Sequence, residues 1–154
     1  MPTLADFAAR IDSRPVTIRG RKLIARKLSI AEQDAIRRAI DLPEPPVGFD
    51  RTKGTNHGPV LNYDDPGYRR EVASRERRVT LAEACVAIDL SLGTIDKPVP
   101  VPASSQDLKA WREYCSLAWS QVGETGALVD DEVNAIHEAL AGVAKDMVME
   151  AQGN

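Results

Sequence analysis

The chain has 154 residues, of which 43% are hydrophobic and 28% are charged, and its formal net charge at pH 7 is −3. This length suits a single domain that buries roughly 68–70% of its unfolded surface without metals or disulfides. The charge excludes a global attraction to nucleic acid, and no apolar run reaches the ~18 residues of a membrane span. Because only 5% of the residues are aromatic, we expect an aliphatic core of packed helices rather than a β-sandwich.

The first quarter of the chain predicts a short helix followed by a β-hairpin. Thr3 and Asp6 have the spacing of a capping box in front of an apolar helical face. Residues 15–28 then hold two runs of β-forming residues separated by Gly20-Arg21, and a glycine at the first turn position favours a type II′ turn. A two-stranded hairpin is marginal by itself in water, so its exposed edge is a first candidate contact surface.

A helix and a long loop follow the hairpin. Ser29 and Glu32 form an S-x-x-E capping box, which predicts a helix that Pro43 ends. Residues 42–65 contain four of the ten prolines and three glycines, with no sustained hydrophobic period. They predict a long extended loop, and loops of this length in compact domains are usually functional or disordered.

The second half of the chain predicts three helices. Asp65 and Pro66 form an N-cap and first-turn pair that opens a long helix over residues 66–93, with Gly93 as its stop. Residues 105–151 carry two apolar stripes at helical spacing, which predict an antiparallel helical hairpin. The expected fold is therefore mainly α: one helical domain over residues 1–154 with an N-terminal β-hairpin, a long Pro/Gly-rich loop and a C-terminal antiparallel helix pair.

Motifs for catalysis and metal binding are lacking. The sequence has no P-loop, no GxSxG and no GxGxxG, and neither His57 nor His137 has cysteine or carboxylate neighbours at metal-ligand spacing. Cys85 and Cys115 fall within apolar helical stripes, which favours reduced core thiols in a cytoplasmic protein over a disulfide or a metal site. We therefore expect a protein that is not an enzyme and that needs no metal and no cofactor.

Charged residues are unevenly distributed along the chain. Five arginines lie within residues 69–78, interleaved with Glu71 and Glu76. The i,i+4 spacing of Glu71 and Arg75 favours a salt-bridged, solvated helix face over a phosphate-binding one. The first quarter of the chain is basic and the last quarter is acidic, an asymmetry that suits head-to-tail contacts between copies as well as it suits a phosphate backbone. We expect a homo-oligomer. The candidate self-association residues are Arg69, Arg70, Asp130 and Asp131.

Two tryptophans on one predicted helix suggest where a partner binds. Trp111 and Trp119 are about 80° apart in projection, so one can lie in the core while the other reaches its rim. Tryptophan at a rim is typical of interfaces, and methionines of the last helix suit an adaptable surface; core packing is the alternative. The candidate partner-binding residues are Trp119, Val122, Leu140, Met147 and Val148.

Three segments carry a resemblance to a known family. They are Arg26–Glu32 (RKLSIAE) after the hairpin, Pro43–Pro46 (PEPP) in the loop, and Asn62–Tyr68 (NYDDPGY) at the entry to the long charged helix. In this order they resemble the tail assembly chaperones of long-tailed, siphovirus-like bacteriophages. The resemblance implies a protein of the host cytoplasm that multimerises along the tape measure protein and keeps it soluble until tail-tube subunits displace it.

Two other classes of function remain open from the sequence. A virion structural component, such as a tail protein or a head–tail connector, would stay in the finished particle. A small regulator using the arginine clusters would bind DNA or RNA with strong salt dependence, although interleaved acids make nucleic acid a less favoured partner.

Overall fold

A computed structural model describes the backbone of residues 13–48 and 59–152, and the side chains of these ranges as far as residue 141. The helix predicted at Thr3 and the residue His57 lie outside this part. About half of the chain is helical, and the described residues form four helices and three small two-stranded antiparallel sheets. The prediction of a mainly helical protein is thus confirmed. Within the described ranges, no helix is both long enough and apolar enough to cross a bilayer.

The strands are β1 (Ser13–Ile18), β2 (Arg21–Arg26), β3 (Val47–Gly48), β4 (Val60–Leu61), β5 (Leu92–Gly93) and β6 (Pro98–Val99). The helices are α1 (Ile30–Ala39), α2 (Pro66–Ala87), α3 (Leu108–Leu117) and α4 (Asp130–Gln152). A π-helical turn, Ala118–Gly123, continues α3. Each sheet pairs consecutive strands, β1 with β2, β3 with β4, and β5 with β6.

The turn between β1 and β2 differs from the predicted one. Ile18 and Arg21 are the closing pair of the ladder, so the two turn residues are Arg19 and Gly20. Their φ angles are 51° and 78°, and positive φ at both central positions is the pattern of a type I′ turn. The prediction of a type II′ turn at Gly20-Arg21 is therefore wrong by one residue.

Contacts with distant residues hold Arg19 in its left-handed conformation. Its Nε and Nη2 donate to the two carboxylate oxygens of Glu132 at 3.0 and 2.9 Å, and Nη2 also donates to the carbonyl oxygen of Gly126 at 3.0 Å. A left-handed conformation costs a residue with a side chain about 1–2 kcal/mol, and these bonds offset that cost. They also fasten the tip of the hairpin to the start of α4.

The first two helices begin where the sequence predicts. The Ser29 hydroxyl accepts from the backbone N–H of Glu32, and the Glu32 carboxylate accepts from the backbone N–H of Ser29, both at 3.1 Å. The same carboxylate accepts two bonds from Arg26 at 2.9 and 2.7 Å, which ties the end of β2 to α1. At α2, Asp65 supplies the side-chain cap and Pro66 the first helical position. Both capping predictions are confirmed.

The end of α2 was predicted wrongly. The helix ends at Ala87 rather than at Gly93, because Asp89 adopts a left-handed φ of 52°. The backbone N–H of Leu90 donates to the carbonyl oxygen of Cys85 at 2.9 Å, which is the long bond of a Schellman motif. Gly93, with a φ of 84°, lies instead in β5.

The two C-terminal helices do not form the predicted antiparallel hairpin over residues 105–151. The helix α3 packs mainly on α1 and also contacts α2 and β5, whereas α4 packs on β1, α2 and β2. Val133 and Ile136 of α4 belong to one buried cluster with Val16 and Ile18 of β1. The described part of the apolar stripe of α4 therefore packs on the β-hairpin, which offers it an apolar face that the periodicity of the helices alone does not reveal.

The core contains two aromatic residues of α3 whose polar atoms are satisfied. Trp111 and Tyr114 are both 0% exposed, with their rings edge to face at a centroid distance of 6.3 Å. Trp111 Nε1 donates to the carbonyl oxygen of Ser104 at 2.9 Å, and the Tyr114 hydroxyl donates to that of Leu90 at 2.7 Å. These bonds hold the chain segments on either side of β5 and β6 against α3.

Candidate functional site

Two cysteines and a histidine among the described residues lie in the core or at its edge. Cys85 and Cys115 are buried, and burial raises the pKa of each thiol to about 12, so neither is a thiolate near neutral pH. The prediction that both lie in the core is confirmed. His137 Nε2 lies 3.2 Å from the carbonyl oxygen of Thr80, to which it donates when that nitrogen carries the proton. Nearby, burial raises the pKa of Glu83, against the opposing effect of His137.

Metal binding has no candidate among the residues that the structure describes, where no three His, Cys, Asp or Glu side chains converge. The polar groups named above lie apart, at the interface of α2 with α4 and at that of α2 with α3. They are not arranged around a shared reaction centre of the kind that catalysis needs.

One of the arginines in the first half of α2, Arg75, stabilises the fold rather than facing solvent. Arg75 is only 9% exposed, and its guanidinium donates from Nε to the carbonyl oxygen of Ile40 at 3.1 Å and from Nη2 to that of Arg37 at 2.7 Å. The predicted Glu71–Arg75 ion pair is therefore wrong, because the Arg75 side chain turns inward to the end of α1 instead. Sequence spacing did not show this, since the acceptors lie on another helix.

The four predicted self-association residues, Arg69, Arg70, Asp130 and Asp131, are all exposed. Two of them already have partners within the chain. Arg69 pairs with Asp64 at 2.8 Å, and Asp130 lies 3.8 Å from Arg77. A contact between copies through Arg69 or Asp130 would have to replace these pairs within the chain by pairs between chains. The role of the four residues in self-association stays a prediction.

The five predicted partner-binding residues have different surroundings. Trp119 is half-buried at the rim of the core, and Leu140 is partly buried and packs against the core. Val122 is 3% exposed, so its assignment to a binding surface is wrong: the π-helical turn directs this side chain inward. The side chains of Met147 and Val148 lie outside the described residues.

Trp119 forms one wall of a surface groove, which we call the Trp119 groove. Leu81 of α2, Trp119 of the π-helical turn and Val133 of α4 are among its lining residues, and its volume is about 340 Å³. The guanidinium carbon of Arg78 lies 4.7 Å from the centroid of the Trp119 ring, a cation–π geometry. One face of the indole is thus covered by the chain's own cation.

A more open apolar surface lies in the segment predicted as a loop. We call residues 42–48 and 59–63 the apolar arm; they include β3 and β4, in which Val47 lies opposite Leu61. The backbone N–H of Asn62 donates to the carbonyl oxygen of Pro46 at 2.9 Å, next to this ladder. The exposed large apolar side chains of the arm are Leu42 (73%), Val47 (66%), Val60 (36%), Leu61 (48%) and Tyr63 (60%).

The sequence predicted the segment that contains the apolar arm but not its exposed apolar residues. It predicted a functional or disordered loop over residues 42–65, but singled out none of these side chains. Their signal was the recurrence of Val, Leu and Tyr in a stretch otherwise rich in proline, glycine and charge. The main contacts of β3 and β4 are with each other. Exposed apolar residues grouped in this way are typical of a surface that another molecule covers.

The apolar arm and the Trp119 groove present different chemistry to a partner. The arm offers open apolar side chains on an extended backbone, whereas the groove is lined in part by charged side chains such as Glu76 and Arg77. Of the two, the arm has more apolar surface left to bury. Comparison of the chain with protein-family models, with curated proteins and with solved structures finds no match.

Proposed function

We propose that this protein is a tail assembly chaperone of a long-tailed bacteriophage, which binds the tape measure protein during assembly and leaves before the particle is complete. The observation that carries the proposal is the apolar arm. Two of the three segments that resemble the family reach the base of the arm: Pro43–Pro46 lies on one side of it, and Asn62–Tyr68 begins on the other side and continues into α2. They meet where the N–H of Asn62 donates to the carbonyl oxygen of Pro46.

The chemistry of the arm suits a long client with apolar stripes. Burial of apolar surface contributes about 25 cal/mol per Å² and needs no particular sequence in the client. Val47 and Leu61, paired across the two strands and both exposed, give this kind of non-directional contact. Several copies bound along one client would hold it by avidity, although each contact by itself is weak.

The arginines favour a protein partner over nucleic acid. Within the described residues, Arg75 is committed to the carbonyl oxygens at the end of α1. Arg69 and Arg77 have carboxylate neighbours, and Arg78 lies over an indole ring. Of the five arginines that could have followed a phosphate backbone, four are therefore engaged within the chain, which weakens the case for a regulator.

The proposal is tested by capture from phage-producing cells. The protein carries an affinity tag, is recovered from lysate, and its companions are identified by mass spectrometry, with a tag-only strain as the control. We expect one very long helical tail protein to be recovered, and the chain to be missing from purified particles. Recovery of capsid or tail-tube proteins, with the chain present in particles, would make it a structural component; nucleic acid alone would make it a regulator.

A further inference from the structure

The outer edge of β2 carries backbone groups that the hairpin leaves without a partner. In a two-residue turn the closing residues, here Ile18 and Arg21, form a hydrogen-bonded pair, and such pairs alternate with non-hydrogen-bonded ones along the ladder. Lys22 and Ile24 therefore point their N–H and C=O groups away from β1. None of the loop, turn and cap hydrogen bonds between described backbone groups reaches either residue.

The side chains at this edge include an exposed isoleucine. Ile24 lies in the middle of β2 and is 69% exposed, whereas Ala25, which follows it, is 0% exposed and belongs to the core. The residue opposite Ile24 is Pro15. Since proline has no N–H, the outer edge of β1 cannot accept a full strand. The open edge of the sheet is therefore that of β2.

The positive charge along the outer edge of β2 determines which kind of strand can pair with it. Arg21, Lys22 and Lys27 are exposed, and none of them has an ion pair with any described residue. By contrast, Arg26 and Arg19, in the same hairpin, are bound to Glu32 and Glu132. Like charges directly opposite each other destabilise a strand pair, so a second β2 is repelled. A strand with carboxylates opposite these cations is attracted.

We propose that the outer edge of β2 binds an extended, acidic segment of a partner protein as a third strand. The backbone of the segment pairs with the outward-facing amide and carbonyl groups of Lys22 and Ile24. Its carboxylates lie beside Arg21, Lys22 and Lys27, and an apolar residue packs on Ile24. This surface is separate from the apolar arm, and the inference holds whether or not the client is a tape measure protein.

The probe is a fluorescent synthetic peptide, Glu-Glu-Thr-Val-Thr-Glu-Glu, whose central valine lies opposite Ile24 and whose glutamates lie opposite Arg21, Lys22 and Lys27. It is added to the full chain and its binding is followed by fluorescence anisotropy. The matched control peptide has lysine in place of each glutamate. We expect the acidic peptide to bind with an affinity that falls as salt is raised, and the lysine peptide not to bind. Equal binding of both peptides, or binding of neither, overturns the proposal.

Variants locate the binding on this edge. Ile24→Pro removes an outward N–H while leaving the β1–β2 ladder intact, so it should weaken binding about tenfold or more. Lys22→Glu should weaken it several-fold, whereas Lys109→Glu, a matched reversal at an exposed site on α3, should leave it unchanged. Amide hydrogen exchange, measured on the wild-type chain with and without the peptide, is a second test. It uses no variant, so a folding defect cannot affect it. The Lys22 and Ile24 amides must gain protection when the peptide binds, and unchanged exchange contradicts the proposal.

Discussion

Arg75 Nη2 donates a 2.7 Å hydrogen bond to the carbonyl oxygen of Arg37, in the last turn of α1. Its Nε donates to the carbonyl oxygen of Ile40, the cap residue of the same helix. The last carbonyl groups of a helix have no donors within it. A side chain from the middle of α2 therefore caps α1, and the base of the apolar arm begins directly after this cap.

Removal of this cap should destabilise the protein. Arg75→Ala leaves two carbonyl groups without their charged donor, and we expect the free energy of unfolding to fall by about 3 kcal/mol. Arg70→Ala, at an exposed position of the same helix, is the control and should change it by no more than about 0.5 kcal/mol. Urea denaturation followed by circular dichroism measures both. Similar midpoints for the two variants would show that the Arg75 contacts do not stabilise the fold.

The hydrogen bond from Arg26 holds the pKa of Glu32 below its ordinary value, with a further contribution from the backbone N–H of Ser29. Because the folded-state pKa is lowered, the stabilisation is present above the unfolded-state pKa and is lost as pH falls through the folded-state pKa. We expect the free energy of unfolding to decrease on acidification in that range, and to decrease less steeply in Glu32→Gln. Glu113→Gln, exposed on α3, is the control and should follow the wild type. A Glu32→Gln curve parallel to that of the wild type would contradict the assignment.

Gly123 is required by the packing beneath the Trp119 groove. A Cβ at this position would lie 2.8 Å from Leu81 Cδ2 and 2.8 Å from Trp119 Cε3. Overpacking of this kind costs about 1–3 kcal/mol, so Gly123→Ala should lower the thermal midpoint. Gly48→Ala, where an added Cβ meets nothing within 4 Å, is the matched control. A midpoint for Gly123→Ala equal to that of Gly48→Ala would mean that Trp119 moves aside without cost.

Local sequence signals predicted where two helices begin, whereas the end of α2 and the turn of the hairpin depend on conformations that the local sequence does not show. The Ser29 cap and the Pro66 helix start could be predicted because each depends on neighbours within three or four residues. The end of α2 could not, since Asp89 adopts a backbone conformation for which glycine is the usual choice. The turn at Arg19 could not be predicted either, because Arg19 also adopts a left-handed conformation. Its guanidinium is held there by Glu132, which is 113 positions away in the sequence.

The residues of the candidate site could likewise be predicted only in part. The spacing of the two tryptophans allowed one to lie in the core and the other at its rim, and the structure has Trp111 in the core and Trp119 at the rim. The sequence prediction wrongly gave Val122 a surface role, because the periodic stripe alone does not say which of its members face the interior. The apolar arm was missed as a set of residues, since two-residue strands leave almost no alternating pattern to detect.

The measurement that bears most directly on the central claim is capture of the long helical tail protein by an arm variant. Val47→Asp and Leu61→Asp together place carboxylates on a cross-strand pair that is exposed in the free protein. Ile95→Asp, at a fully exposed isoleucine remote in sequence from the arm, is the control. Because burial of an unpaired charge is costly, we predict that the arm variant recovers about tenfold less of the tail protein or lower still, with Ile95→Asp unchanged. Equal recovery by all three proteins would contradict the proposal that the apolar arm binds the client.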